Sequence, residues 1–258
     1  MTAVFAAAAA VLIIWGICEA RFILKVRHHR IGTRGIRIAY LSDLHCGFFF
    51  SPKRLEKVIQ RVQELSPDLV LLGGDYVEGG PTYARECLEA LSRLSPAAAV
   101  LGNHDIQDSR KGSAREAAAA VCRSLGIPLL YNSCITVQVK GITLQIAGPA
   151  DARRDTAYLG HIRRDPSADI MILLSHNPDF IPSGAQHLDF DLALCGHTHG
   201  GQITLFGRPL TTHSKYRKEL GRGLCRWKGK PVVVSCGLGT TIMPLRFFAS
   251  PSIETADL

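Results

Sequence analysis

Residues 36–45 read IRIAYLSDLH and residues 69–78 read LVLLGGDYVE. In each, an apolar run of strand length passes straight into a short polar segment that carries an aspartate, and the pattern recurs along the chain. The run at 97–101 leads into Gly102, Asn103, His104 and Asp105; the run at 170–174 leads into Ser175, His176 and Asn177. The run at 190–194 leads to GHTHGG at 196–201. Strand-length runs followed by polar loops, with helical periodicity between several of them, describe an α/β domain. In such a domain the loops at the carboxyl ends of the strands meet in one crevice. That crevice would hold Asp43, Asp75, Asn103 and five histidines, His45, His104, His176, His197 and His199. Imidazole mixed with carboxylate and amide oxygen, with no cysteine at matching spacing, suits Mn, Fe or Zn at a reactive site and not a structural zinc.

The remaining elements agree with this class. Ile135–Val139 and Ile142–Ile146, in VQVKGITLQI, read as an antiparallel hairpin about Gly141, so the sheets are expected to be mixed. Val232–Val234 reads as a further strand. Helical periodicity covers Pro52–Leu65, Tyr83–Leu94 and Ala114–Leu125, with Ser51 as N-cap before Pro52 and Gly126 as C-cap. The polar loop Gln107–Gly112 is expected to be mobile. At 258 residues, 47% hydrophobic and 20% charged, the chain can bury an ordinary core, which excludes disorder as its main state. Its eight cysteines form no CxxC pair, and a reducing compartment is the simpler reading.

The basic excess is local. Arg21, Lys25, Arg27, Arg30, Arg34 and Arg37 crowd one acid-free stretch; with those six and Glu19 set aside, 24 bases face 21 acids. This gives no basic channel for nucleic acid, and none is expected as a partner. Before the stretch, residues 1–18 carry no charged side chain and end in VLIIWGIC. At about 1.5 Å per residue they reach roughly 27 Å, close to the ~30 Å of a hydrocarbon core. The expected layout is a transmembrane anchor at 1–20, a basic juxtamembrane linker at 21–35 and a catalytic domain at 36–258 that survives removal of the anchor. Bases after the helix place that domain on the cytoplasmic side of an inner or plasma membrane, with Trp15 at the interface.

DLH, GDYVEGG, GNHD, SHNP and GHTHGG, in this order, resemble the motifs of the calcineurin-like metallophosphoesterase superfamily, and the tail GLGTTIMPLRFF resembles a membrane-associated bacterial branch of it. The resemblance implies a four-layer αββα sandwich with mixed sheets and two divalent metals, with Mn the first expectation. It assigns Asp43, His45 and His199 to one metal, Asn103, His176 and His197 to the other, and Asp75 to both. His104 then faces the substrate as proton donor, Asn103 also touches substrate, and Glu78 or Asp105 orients His104. Gly79 stands where protein Ser/Thr phosphatases of the superfamily carry Arg, which disfavours that activity. Cys46 is read as packing, and His28, His29, His161, His187 and His213 match no motif.

The implied activity is hydrolysis of a phosphodiester or pyrophosphate bond in a phosphate-containing small molecule or lipid. Relatives that cleave UDP-2,3-diacylglucosamine in lipid A synthesis are the leading comparison. Phe48, Phe49, Phe50, Phe247 and Phe248 bear on that choice: exposed, they make a greasy rim beside a phosphate site; buried, they fill the core. Arg246 is a candidate for a substrate phosphate. The alternatives are a broad phosphodiesterase acting on soluble nucleotides, and a non-catalytic, metal-binding membrane scaffold.

Overall fold

The computed structural model describes residues 1–78, 81–106, 113–205 and 208–258; Gly79 and the loop 107–112 lie outside them. The strands are β1 (Lys25–Arg30), β2 (Arg37–Leu41), β3 (Leu69–Leu72), β4 (Ala98–Ala99), β5 (Ser133–Val139), β6 (Ile142–Gly148) and β7 (Ile170–Ser175). They continue with β8 (Leu192–Cys195), β9 (Thr204–Leu205), β10 (Arg208–Pro209), β11 (Gly223–Trp227), β12 (Lys230–Val234) and β13 (Ser252–Asp257). The helices are α1 (Thr2–Phe22), α2 (Pro52–Leu65), α3 (Pro81–Ser92), α4 (Ser113–Ser124) and α5 (Phe180–Gly184).

Two mixed sheets, in the orders β1-β13-β2-β3-β4 and β11-β12-β8-β7-β6-β5, pack face to face. Side-chain alternation along the strands builds the layers. Ile38 and Tyr40 of β2, with Leu69 and Leu71 of β3, face Leu144, Ile146, Ile172, Leu192 and Val233 of the other sheet. Their neighbours Ala39, Leu41, Val70 and Leu72 turn the opposite way, onto Leu55, Val58, Ile59 and Val62 of α2 and Leu88 and Leu91 of α3. On the far side, Met171, Leu173, Ala193 and Val234 pack under Phe180 and Ile181 of α5 together with Leu159 and Phe190. The result is the expected αββα sandwich, whose fourth layer is a short helix and loops. Strands β2, β3 and β4 run parallel, as do β6, β7, β8 and β12. Their carboxyl ends therefore open on one edge.

Two boundaries differ from the sequence reading. The basic stretch 21–35 is not a free linker, because β1 within it pairs in parallel with β13. His29 Nε2 lies 2.7 Å from Glu254 Oε2, and His28 Nδ1 lies 2.8 Å from Thr255 Oγ1. The last turn of α1 is not separable from the domain either. Glu19 is buried and accepts hydrogen bonds from the Phe248 backbone N–H (2.9 Å) and Ser250 Oγ (2.7 Å). The Gly16 carbonyl accepts from the Arg246 N–H at 2.9 Å, and a Cβ at Gly16 would meet the Phe247 ring at 2.8 Å. The earlier turns of α1 expose Val4, Phe5, Val11, Leu12, Ile13 and Ile14. Val4–Phe22 is long and apolar enough to cross a membrane.

Candidate metal centre

Strands β2, β3 and β8 deliver their polar residues to the shared edge through abrupt left-handed turns. Asp43 (φ 52°), His45 (φ 48°), Asp75 (φ 53°), His197 (φ 68°) and His199 (φ 51°) all adopt positive φ, a region non-glycine residues seldom occupy. The surroundings hold them there. A Cβ at Gly74, itself at φ 87°, would meet the Gly102 nitrogen at 2.5 Å, and a Cβ at Gly102 would run into the Asp75 carboxylate. Ser42 Oγ donates to Asp43 Oδ2 at 2.5 Å, and Asp43 Oδ1 accepts the His197 N–H at 2.8 Å. Asp105 accepts the backbone N–H groups of Asp75 (2.8 Å), Tyr76 (2.8 Å) and Gly102 (2.9 Å). Asp105 thus ties two motif loops together and is not the partner of His104. Burial, then the nearby charge of Asp75, pushes its carboxyl up to about 7 against those backbone donors.

The seven expected ligands converge. Ligand atoms of Asp43, His45 and His199 lie within 4.8 Å of one another, and so do those of Asp75, His176 and His197. His45 Nε2 is 3.1 Å from His199 Nε2 and 3.6 Å from Asp75 Oδ2; His176 Nε2 is 3.2 Å from Asp75 Oδ2. Asp75 therefore stands between the two groups. Asn103 Oδ1, His176 Nε2 and His197 Nε2 are buried without a hydrogen-bond partner among the described residues. Three orphaned acceptors at one place are costly unless a cation takes their lone pairs, so the donor set fits metal ions. His176 Nδ1 donates to the Gly73 carbonyl at 2.8 Å, which turns Nε2 towards Asp75 as the atom that would ligate once its proton is lost.

Burial alone would lower the His45 ring, but the Glu78 hydrogen bond and the charges of Asp75 and Asp43 raise it. Burial likewise works against His176, which Asp75 nevertheless holds well above the usual histidine range. His197, buried and beside His176, falls to about 3. Glu78 meets two rings at once, with Oε2 2.6 Å from His45 Nδ1 and 3.3 Å from His104 Nδ1. The His104 backbone N–H donates to Asp75 Oδ1 at 2.7 Å, and burial lowers its ring.

Arg246 does not reach the cleft. It is fully buried: Nε donates to the Gly239 carbonyl (3.0 Å), and Nη1 donates to those of Cys236 (2.7 Å), Ala249 (2.6 Å) and His199 (3.3 Å). Its Nη2 lies 3.3 Å from His199 Nδ1. The substrate contact expected from sequence is replaced by a brace behind a metal ligand. The aromatics divide: Phe48 (91%), Phe49 (52%) and Phe248 (65%) are exposed, whereas Phe50 is buried. Cys46 packs in the core with its sulfur 2.8 Å from that of Cys87, and all eight cysteines are free.

The model of the calcineurin-like phosphoesterase family matches residues 36–201, the span that carries all seven candidate ligands. The chain belongs to this family. Metallophosphoesterase YkuE of Bacillus subtilis is 31% identical to this phosphoesterase over 237 residues, covering 88% of this chain and 80% of YkuE. Phosphodiesterase YaeI of Escherichia coli is 26% identical over 254 residues, covering 93% and 90%. A Danio rerio transmembrane protein with a metallophosphoesterase domain is 28% identical over 272 residues, covering 96% of this chain and 60% of that protein. Among solved structures, the sulfate thiohydrolase SoxB of Thermus thermophilus superposes with a TM-score of 0.51 at 13% identity, covering 88% of this chain and 57% of SoxB. That likeness shows the fold alone. The phosphoesterase is thus a metal-dependent phosphoester hydrolase with the dinuclear site of its family.

The sequence reading missed the loop after β6. Asp151 there is buried, and Arg153 and Arg154 line the same cleft as Asp75, Asn103, His104, His197 and His199. Residues GPADARR follow a strand as the other motifs do, and that position was the available signal.

Proposed function

We propose that the protein is a membrane-anchored, dinuclear phosphodiesterase that hydrolyses a phosphodiester or pyrophosphate bond, with lipid-linked phosphates such as UDP-2,3-diacylglucosamine as the leading substrate class. The observation that carries the reading is Asp75 standing between two groups of ligand atoms beside three orphaned acceptors. Asp43, His45 and His199 would hold one cation, Asn103, His176 and His197 the other, and Asp75 both. Bound there, two divalent ions, with Mn the first expectation, supply hydroxide at neutral pH and neutralise phosphoryl charge. The chain does the rest. Glu78 fixes the His45 ring through Nδ1 and stands beside His104, which delivers a proton to the leaving oxygen. Asn103 and His104 contact the substrate phosphate. The phosphodiesterase YaeI supports the reaction class. The apolar α1 followed by bases supports a single-pass anchor with the domain on the cytoplasmic side.

The test is a panel with Mn present: bis(p-nitrophenyl) phosphate, p-nitrophenyl phosphate, UDP-glucose and a lipid-linked pyrophosphate in mixed micelles. Diester or pyrophosphate hydrolysis that a chelator stops, and that Asp75→Asn abolishes in a folded protein, is expected. Turnover of the monoester only would refute the phosphodiesterase reading.

A further inference from the structure

The cleft above the metal ligands, about 420 Å³, sorts by chemistry. Its floor is the ligand cluster. From the loop after β6 come Arg153 and Arg154, both exposed. Neither guanidinium has an acidic partner among the described residues, and unlike other such arginines, Arg34 and Arg123 among them, both line this cleft. The backbone that carries them is fixed. Asp151 Oδ1 accepts the N–H groups of Arg153 (3.0 Å) and Arg154 (2.9 Å), and Asn132 Oδ1 accepts that of Ala150 at 2.8 Å.

A second wall is apolar and equally built. Ile203, Leu210, Ile242 and Met243 line it. Ile242 is 80% exposed at φ 64°, an uncommon backbone state for a β-branched residue. Gln202 holds the strained turn: its Nε2 donates to the carbonyls of Thr241 (2.9 Å) and Met243 (3.0 Å), and its Oε1 accepts the Thr241 N–H at 3.0 Å.

We propose that Arg153 and Arg154 form a second phosphate subsite, and that Ile203, Leu210, Ile242 and Met243 form an apolar-chain subsite. On this reading the cleft selects an amphiphilic pyrophosphate diester over a simple phosphodiester. The charge argument is direct. A metal floor neutralises one phosphoryl group, and two unpaired guanidinium groups beside it call for a second anion, which a single diester lacks. Exposed apolar side chains in the same cleft call for a hydrocarbon chain, which a nucleotide lacks.

The assignment rests on the phosphodiesterase reading, and the test separates the two. Four soluble uridine esters with Mn present make a matched set: the methyl and octyl esters of uridine monophosphate and of uridine diphosphate. The wild-type kcat/KM for the diphosphates should exceed that for the monophosphates by about tenfold or more, at least the worth of one charge-assisted hydrogen bond. Arg153→Gln with Arg154→Gln should lower that ratio by about tenfold or more, leaving only the intrinsic advantage of a phosphate over an alkoxide leaving group. Ile242→Ser should lower the octyl-to-methyl ratio and leave the phosphate ratio standing. Because each ratio is taken within one protein and then compared between wild type and variant, a general loss of activity and the intrinsic difference between leaving groups both cancel. A wild-type ratio near one, or one that the double substitution leaves unmoved, would overturn the subsites alone. Hydrolysis of none of the four overturns the phosphodiesterase reading and the subsites with it.

Discussion

Replacing Arg246 by Met keeps the side chain's length and removes every donor from a site with no access to water. The carbonyls of Gly239, Cys236 and Ala249 lose the donor that Arg246 gives them, while that of His199 keeps the Gln202 N–H at 3.0 Å. An orphaned buried acceptor costs about 1–3 kcal/mol, so even the low end for three gives about 3 kcal/mol, at the lower edge of the ~3–5 kcal/mol typical when one member of a buried charged contact is removed. A domain of this size loses about 2–4 °C of melting temperature per kcal/mol, which puts the expected fall at roughly 6–12 °C. Arg246→Lys keeps the charge but replaces a planar fork with a point donor that cannot serve four diverging carbonyls, so it should fall between. Because Arg246 braces the carbonyl and ring of His199, the Met variant should also lose metal from that side of the site. Thermal melts with and without Mn, together with metal analysis of the purified variant, measure both effects. An Arg246→Met protein that melts within about 2 °C of wild type and shows only a raised KM would refute the buried brace, since that is the behaviour of an arginine that touches substrate.

Removing residues 2–14 should leave melting and metal content near wild type, whereas removing 2–20 takes away Glu19 and the Gly16 carbonyl and should lower both; melts of the two truncations in detergent decide it. His104→Ala should keep its metals yet lose about 10²- to 10⁴-fold in turnover, less for leaving groups that need no proton, as paired assays with nitrophenyl and alkyl esters would show. In the metal-free protein the rings of His45 and His176 are raised, so below those raised values protons must leave before metal enters. Affinity for Mn should therefore fall as pH falls, and calorimetry in buffers of different ionisation heat should register proton release.

The convergence of the candidate ligands was legible because each sits within four residues of the end of an apolar strand, and parallel strands bring such loops together whatever the details of packing. Strands β1 and β13 were not legible, for a physical reason. KVRHHR and SIETAD carry no apolar alternation, yet Glu254 and Thr255 are buried because they meet His29, His28 and Ser252 across and along the ladder. Periodicity detects burial against hydrocarbon and is blind to burial against a polar partner. Arg246 was misread on the same account. A charged residue in a motif next to a phosphate site looks like a ligand for phosphate, and only the convergence of carbonyls from several loops turns it into an internal brace. Glu19, one charge at the end of an apolar helix, gave no hint that it closes a hydrogen-bonded joint with residues 248–250.

That joint changes what an anchor can do here. A tether on a flexible linker raises the local concentration of a domain near a surface and leaves its orientation free. The last turn of α1 instead shares hydrogen bonds with the chain at 246–250, and Arg246 there touches His199. The turn 239–244 serves both sides: Gly239, Thr240 and Pro244 line a hollow with Ile17, Ala20 and Phe49, while Thr241, Ile242 and Met243 line the cleft. The metal ligands are therefore held at fixed height and angle relative to α1. If α1 crosses a bilayer, the exposed rings of Phe48, Phe49 and Phe248 and the apolar wall of the cleft keep a constant position at its surface. An amphiphile then reaches the metal floor by a short lateral path along hydrocarbon, with no need for its chain to enter water. A rigid joint is what such a path requires, because a swinging domain would present the cleft to the surface only part of the time.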